Sequence, residues 1–94
     1  MSIKPKRVHV QFTGHVQGVG FRMTVVEQSV NLAVHGFVQN EPDGSVTLDA
    51  EGSPADLKEL IRRIKSAMSG KIDGVSVDDR EPLGKSVGGI MIRR

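Results

Sequence analysis

The hydrophobic period of this chain alternates between two residues and a helical turn, and the order of the changes leaves few folds open. Residues 7 to 13, RVHVQFT, set Val8, Val10 and Phe12 against His9, Gln11 and Thr13, the pattern of a strand with one buried face. A glycine-rich stretch, GHVQGVGFR, closes it. Glycine and proline are then missing from Phe21 to about Ala33, where Phe21, Val25 and Leu32, with Val26 and Val30 beside them, predict a helix with a broad apolar face. Its valines lower the propensity. Residues 34 to 40, VHGFVQN, and 45 to 50, SVTLDA, predict a strand pair around Glu41-Pro42-Asp43-Gly44, where proline presets φ and Asp-Gly supplies the turn. Ser53, Pro54 and Asp56 then read as an N-cap, a first-turn proline and an acidic first turn. Leu57, Leu60, Ile61, Ile64 and Met68 form a helical stripe that Gly70 ends, with Lys58, Glu59, Arg62, Arg63 and Lys65 on a solvated face. Residues 72 to 79, with Ile72, Val75 and Val77, and 87 to 93, with Ile90 and Ile92, predict the last strands around the loop EPLGKS.

The order strand, helix, strand, strand, helix, strand, with a short fifth strand, predicts an α/β (α+β) fold: a ferredoxin-like βαββαβ sandwich, its antiparallel sheet covered on one face by two helices. The 94 residues fit a single domain over 1–94, without repeats or low-complexity segments. The absence of cysteine excludes disulfides, thiolate metal sites and cysteine nucleophiles, and is compatible with a reducing compartment. No apolar stretch backs the basic N-terminus MSIKPKRVHV and none later reaches spanning length, so a soluble, cytoplasmic chain without a membrane partner is expected. Thirteen Lys and Arg against eleven Asp and Glu leave a net charge of only +2, and Phe12, Phe21 and Phe37 are the only aromatics. Both facts argue against a nucleic-acid partner.

Chemistry must then come from a site. Gly14, Gly18 and Gly20 make GxxxGxG, which lacks the dinucleotide spacing. Gly84-Lys85-Ser86 imitates a phosphate loop, but the leading glycine would fall on Asp79, and the segment reads as a hairpin loop. His9, His15 and His35 have no metal-ligand spacing, and Asp73, Asp78, Asp79 and Glu81 lack that of a calcium loop, so no metal is expected.

The stretch GHVQGVGFR has a different use. Glycines between a strand and a helix let successive N–H groups converge on an oxyanion, and the helix N-terminus behind them adds unpaired donors and about half a positive charge. Arg22 in the first turn opposes that dipole, at about 0.3–1 kcal/mol. A bound anion would offset this through charge-assisted hydrogen bonds worth about 1.5–3 kcal/mol. Two readings stay open on the residues alone: an anion cradle, or a tight connection with Arg22 in water. Asn40 is equally double, either orienting a polar ligand or bonding its own backbone at the hairpin shoulder.

GHVQGVGFR resembles the signature loop of the acylphosphatases, and GFVQNEPDGSV resembles the second motif of that family, with Arg22 and Asn40 at the same eighteen-residue separation. The resemblance spans nearly the whole chain, weakest after residue 70. It implies hydrolysis of a small-molecule acyl phosphate to a carboxylate and inorganic phosphate, without metal or cofactor, by a protein expected to be a monomer. The loop amides of His15, Val16, Gln17, Gly18, Val19, Gly20 and Phe21 would hold the phosphoryl oxygens, Arg22 would clamp them, and Asn40 would orient the attacking water. No protein base is evident in these motifs, and the substrate's own phosphate oxygens would assist deprotonation. The chain departs from the family pattern at Phe37, Gln39, Ile90, Met23 and Thr24, positions that bear on packing, substrate affinity and the local field. A non-catalytic module holding phosphate or a phosphorylated ligand in the same cradle is the alternative, because binding needs only the loop and Arg22 while turnover also needs an aligned water.

Overall fold

The structure, a computed structural model, describes residues 4–84 and 88–94. Its elements run β1 (Lys6–Gly14), α1 (Phe21–Gln28), β2 (Val34–Asn40), β3 (Val46–Gly52), α2 (Pro54–Ala67), β4 (Ile72–Arg80) and β5 (Ile90–Arg93). They form one five-stranded sheet in the order β4-β1-β3-β2-β5. Pairing is antiparallel among β4, β1, β3 and β2, and β5 adds to the edge of β2 in parallel. The predicted ferredoxin-like sandwich is therefore present.

The two-residue period sorts the sheet into faces. Val8, Val10 and Phe12 of β1 stand opposite Ala50, Leu48 and Val46 of β3, and share one core with Val25 of α1 and Leu57, Leu60 and Ile64 of α2. Both helices thus cover the same face. Each fully buried aliphatic or aromatic side chain there contributes about 1.5–3 kcal/mol. The rings of Phe12 and Phe21 meet at 5.0 Å between centroids, fixing the start of α1 against β1.

Sequence reasoning carries α1 to about Ala33, but the helix stops at Gln28. Ser29 Oγ donates to the carbonyl of Val26 at 2.7 Å, Asn31 adopts a left-handed φ of 68°, and Val30 is 59% exposed instead of packed. Arg63 completes the stop: Nη1 donates to the carbonyls of Gln28 and Val30 at 3.0 and 3.1 Å, placing a cation at the negative end of the helix. Its Nε also donates to Glu59 at 2.8 Å, an i, i+4 pair. Arg63 is thus a contact between the helices and not part of a purely solvated face.

The hairpin loop expected at Gly84-Lys85-Ser86 is not formed by its flanking strands, because β4 and β5 occupy opposite edges of the sheet. The segment after β4 instead runs over the face that bears no helices. There Glu51 of β3 accepts the N–H groups of Leu83 and Gly84 at 2.7 and 3.0 Å, and the carbonyl of Glu81 accepts from Arg7 at 3.3 Å. Lys85 and Ser86, and Val87 where the last strand is expected to begin, lie outside the described residues. No helix among the described residues is long and apolar enough to cross a membrane.

Candidate active site

The two helices begin in opposite ways. The start of α2 is closed: Ser53 Oγ accepts the N–H of Asp56 at 3.2 Å, Pro54 occupies the first turn, and Asp56 faces the dipole. The start of α1 is open. Its N-cap is Gly20, which offers no side chain, and its first turn holds no acid but does hold Arg22. The first intrahelical bond runs from the N–H of Thr24 to the carbonyl of Gly20 at 3.0 Å. Among the described residues, the N–H groups of residues 16 to 23 find no acceptor within the protein.

Backbone hand sets the course of the loop that carries these donors. Gly18 and Gly20 both hold φ 76°, with open space where a Cβ would stand, so conformation and not packing calls for glycine there. Left-handed residues interspersed with others turn successive amides toward one concavity. Gly14 is required on both counts: its φ is 122°, and a Cβ on it would fall 2.5 Å from the carbonyl of Lys71, where the register between β1 and β4 shifts.

The resulting cavity measures about 210 Å³ and has Val16, Gly18, Gly20, Phe21, Arg22 and Asn40 in its walls, with Met23 and Ile92 at its mouth. Residues distant in sequence meet there because β2, which ends at Asn40, lies between β3 and β5 beside the start of α1. The structure thus brings together Arg22 and Asn40, with no carboxylate or imidazole among the lining side chains. Arg22 Nη1 donates to the carbonyl of Arg93 at 3.2 Å, which aims the guanidinium from β5 and leaves its other N–H groups free among the described residues. Asn40 makes no side-chain hydrogen bond to the described residues. The self-bonded hairpin shoulder is therefore not its role. That turn is closed by others: the N–H of Glu41 donates to the carbonyl of Ser45 at 2.8 Å, and Asp43 accepts from the hydroxyl and the N–H of Ser45 at 2.6 and 2.9 Å. These bonds hold the Asp43 carboxyl below its usual range.

Not every loop residue expected in the cradle is in it. The N–H of His15 donates to the carbonyl of Lys71 at 2.8 Å, and its exposed side chain does not line the cavity, so the free donors begin at residue 16. The cause is the packing of Gly14 against the start of β4, which turns the next amide toward Lys71. The side chains of Gln17 and Val19 also point elsewhere. Val19 packs on the core, and Gln17 Nε2 donates to the carbonyls of Glu41 and Ser45, both at 2.8 Å. Gln17 thereby ties the loop to the turn that follows Asn40, a role that a polar residue in a glycine loop does not announce in sequence.

The family-departing positions divide the same way. Phe37 lies on the helix-free face under the Arg93 guanidinium, 3.8 Å from its ring centroid; Gln39 donates to Glu41 at 2.9 Å; Ile90 joins the core. Of these, only Met23 lines the cavity. A larger cleft of about 460 Å³ lies at the other end of β2 and β3, near Leu32, Val34 and Gly52, but Glu51, the one carboxylate among its described lining residues, is already engaged with Leu83 and Gly84. Among the described residues no group of three His, Asp or Glu side chains is placed to hold a metal ion.

Comparison with known proteins gives the family and the fold. The family model described as acylphosphatase matches residues 8–88. An acylphosphatase of Caldanaerobacter subterraneus subsp. tengcongensis is 44% identical over 71 residues, covering 74% of this chain and 79% of that protein. One of Methanospirillum hungatei is 40% identical over 84 residues, covering 87% and 92%. The crystal structure of acylphosphatase from Bacillus subtilis superposes with a TM-score of 0.84 at 28% identity, over 95% of this chain and 99% of that one.

Proposed function

The chain belongs to the acylphosphatase family, and we propose that it hydrolyses acyl phosphates with the glycine loop as phosphate cradle, Arg22 as clamp and Asn40 as water-orienting group. The observation that carries this assignment is the unpaired N–H groups of residues 16 to 23, several of which belong to residues that line the cavity shared by Arg22 and Asn40. The phosphoryl oxygens take the backbone N–H groups and the guanidinium, which offset the charge spread over the transferring group. Asn40 accepts from the water with its carbonyl oxygen and can donate with its amide nitrogen, and being neutral it does not repel the phosphate.

The water oxygen attacks phosphorus as the bond from phosphorus to the acyl oxygen breaks. The carboxylate leaves with the electron pair, and a proton of the water passes to a phosphoryl oxygen, giving inorganic phosphate. Because the cavity wall presents no carboxylate or imidazole, this route to the phosphoryl oxygen replaces a protein base. We assign the reaction no metal and no cofactor, and take the chain to act as a soluble single-domain monomer.

The division of roles has a direct test. Asn40→Ala keeps the inhibition constant of inorganic phosphate within about threefold of wild type while turnover falls by about 10²–10³, the size of effect seen when one transition-state donor is removed. Parallel loss of phosphate binding and turnover would refute the role given to Asn40. A folded wild type that binds phosphate and turns over no acyl phosphate would instead establish a binding module.

A further inference from the structure

Met23 is 56% exposed and Ile92 40% exposed, and both border the cavity that holds Arg22 and Asn40. They come from different elements, the first turn of α1 and the β5 strand, so the cavity has an apolar lip on two sides. Deeper in the wall, Val16 and Phe21 are buried, and among the described residues the only polar side chains lining it are Arg22 and Asn40. If those two serve the phosphoryl group and the water, the acyl group meets no side-chain donor, acceptor or charge.

From this geometry we infer that Met23 and Ile92 form an acyl-binding lip that makes the enzyme favour acyl phosphates with an uncharged apolar acyl group, aryl or alkyl, over acetyl phosphate. The inference rests on the function proposed above. With the phosphoryl group on the loop amides, the acyl group extends toward solvent through the mouth, and its carbons cover the side chains of Met23 and Ile92. Met23 is the adaptable half, an unbranched thioether that can follow rings and chains of different shape. The lip therefore grades substrates by apolar surface without demanding one outline. Because both residues are only half covered in the free protein, the discrimination is modest, about three- to tenfold in kcat/KM, below the range of an enclosed pocket.

The test compares benzoyl phosphate with acetyl phosphate for wild type, Met23→Gln and Ile92→Thr, with inhibition by inorganic phosphate measured on each. Wild type prefers benzoyl phosphate, mainly through KM. In each folded variant the ratio of the two kcat/KM values falls toward one, by about three- to tenfold, while the phosphate inhibition constant moves less than about twofold. Having two variants on separate elements guards against a local folding defect in one. Equal losses on both substrates, or an unchanged ratio, overturn the acyl-binding lip. Wild type that hydrolyses neither compound overturns the underlying function, an outcome distinct from an unchanged ratio.

Discussion

Gly20 holds φ 76° with nothing near the position of a Cβ, so Gly20→Ala meets no clash and its cost is conformational, about 1–2 kcal/mol for a left-handed L-residue. Either the strain is kept or the loop relaxes and its amides turn away. The expected outcome is a lower melting temperature together with a phosphate inhibition constant raised about tenfold, the loss of roughly one charge-assisted hydrogen bond. Thermal unfolding and phosphate inhibition of the same variant check it, and unchanged phosphate affinity would contradict the role of the loop. At this scale the sequence was informative where chemistry disagreed with local preference. Three glycines and a cation in the first turn of a helix left an anion cradle and a tight connection both open, and the fold brings Arg22 and Asn40 to one cavity. The amide of His15 and the side chain of Gln17 were not legible, because what turns one toward Lys71 and the other toward Glu41 is the packing of β4 and of the hairpin turn.

Among the elements, α2 was readable from end to end because cap, stripe and terminus agree: Ser53 bonds Asp56, Leu57, Leu60 and Ile64 are buried, and Gly70 is left-handed at φ 86°. The end of α1 was not. Between Ser29 and Ala33 there is neither glycine nor proline, and the stop is made by Ser29, Asn31 and Arg63 reaching from α2. β5 is similarly ambiguous in sequence, since its apolar residues fit either sheet edge and only pairing of Ile90 and Ile92 with Gly36 and Val38 selects β2. The contrast between the helix starts yields a prediction. Ser53→Ala removes the cap of α2 and costs about 1 kcal/mol, a fall of roughly 4–8 °C in melting temperature, with kcat/KM unchanged. A loss of activity matching the loss of stability would mean that the closed end of α2 also supports the site.

For the molecule as a whole, the helix-free face holds the feature least visible in the sequence. Asp49 and Glu51 alternate with Leu48 and Ala50 as solvent-facing residues should, yet both are buried. Cross-strand neighbours and the segment after β4 cover them. Arg7 donates to both oxygens of Asp49 at 2.8 and 3.0 Å, and His9 Nδ1 lies 3.0 Å from it. Burial alone would push the Asp49 carboxyl up, but hydrogen bonds from Arg7 and His9 outweigh it and hold the carboxyl below its ordinary 3.8. A depressed folded value means that the stabilisation is fully present above the unfolded value and is lost as pH falls through the folded one. Asp49→Asn therefore costs about 1–3 kcal/mol at pH 7, and the gap to wild type narrows as pH falls below about 3.8. Denaturant unfolding at both pH values checks this; a gap independent of pH would mean that packing and not charge accounts for the loss. The face opposite the helices thus carries buried polar pairing, while the candidate site lies at the end of the sheet where the loop, β2 and β5 converge. The proposed function requires backbone amides and Arg22 to bind and activate a phosphoryl group there. The most direct measurement is hydrolysis of benzoyl phosphate, in excess chelator, by wild type and folded Arg22→Ala. Wild-type turnover is expected to be unaffected by the chelator, and the variant to lose about 10²–10³ in kcat/KM. Turnover by Arg22→Ala within threefold of wild type, or wild-type activity abolished by the chelator, would contradict the proposed function.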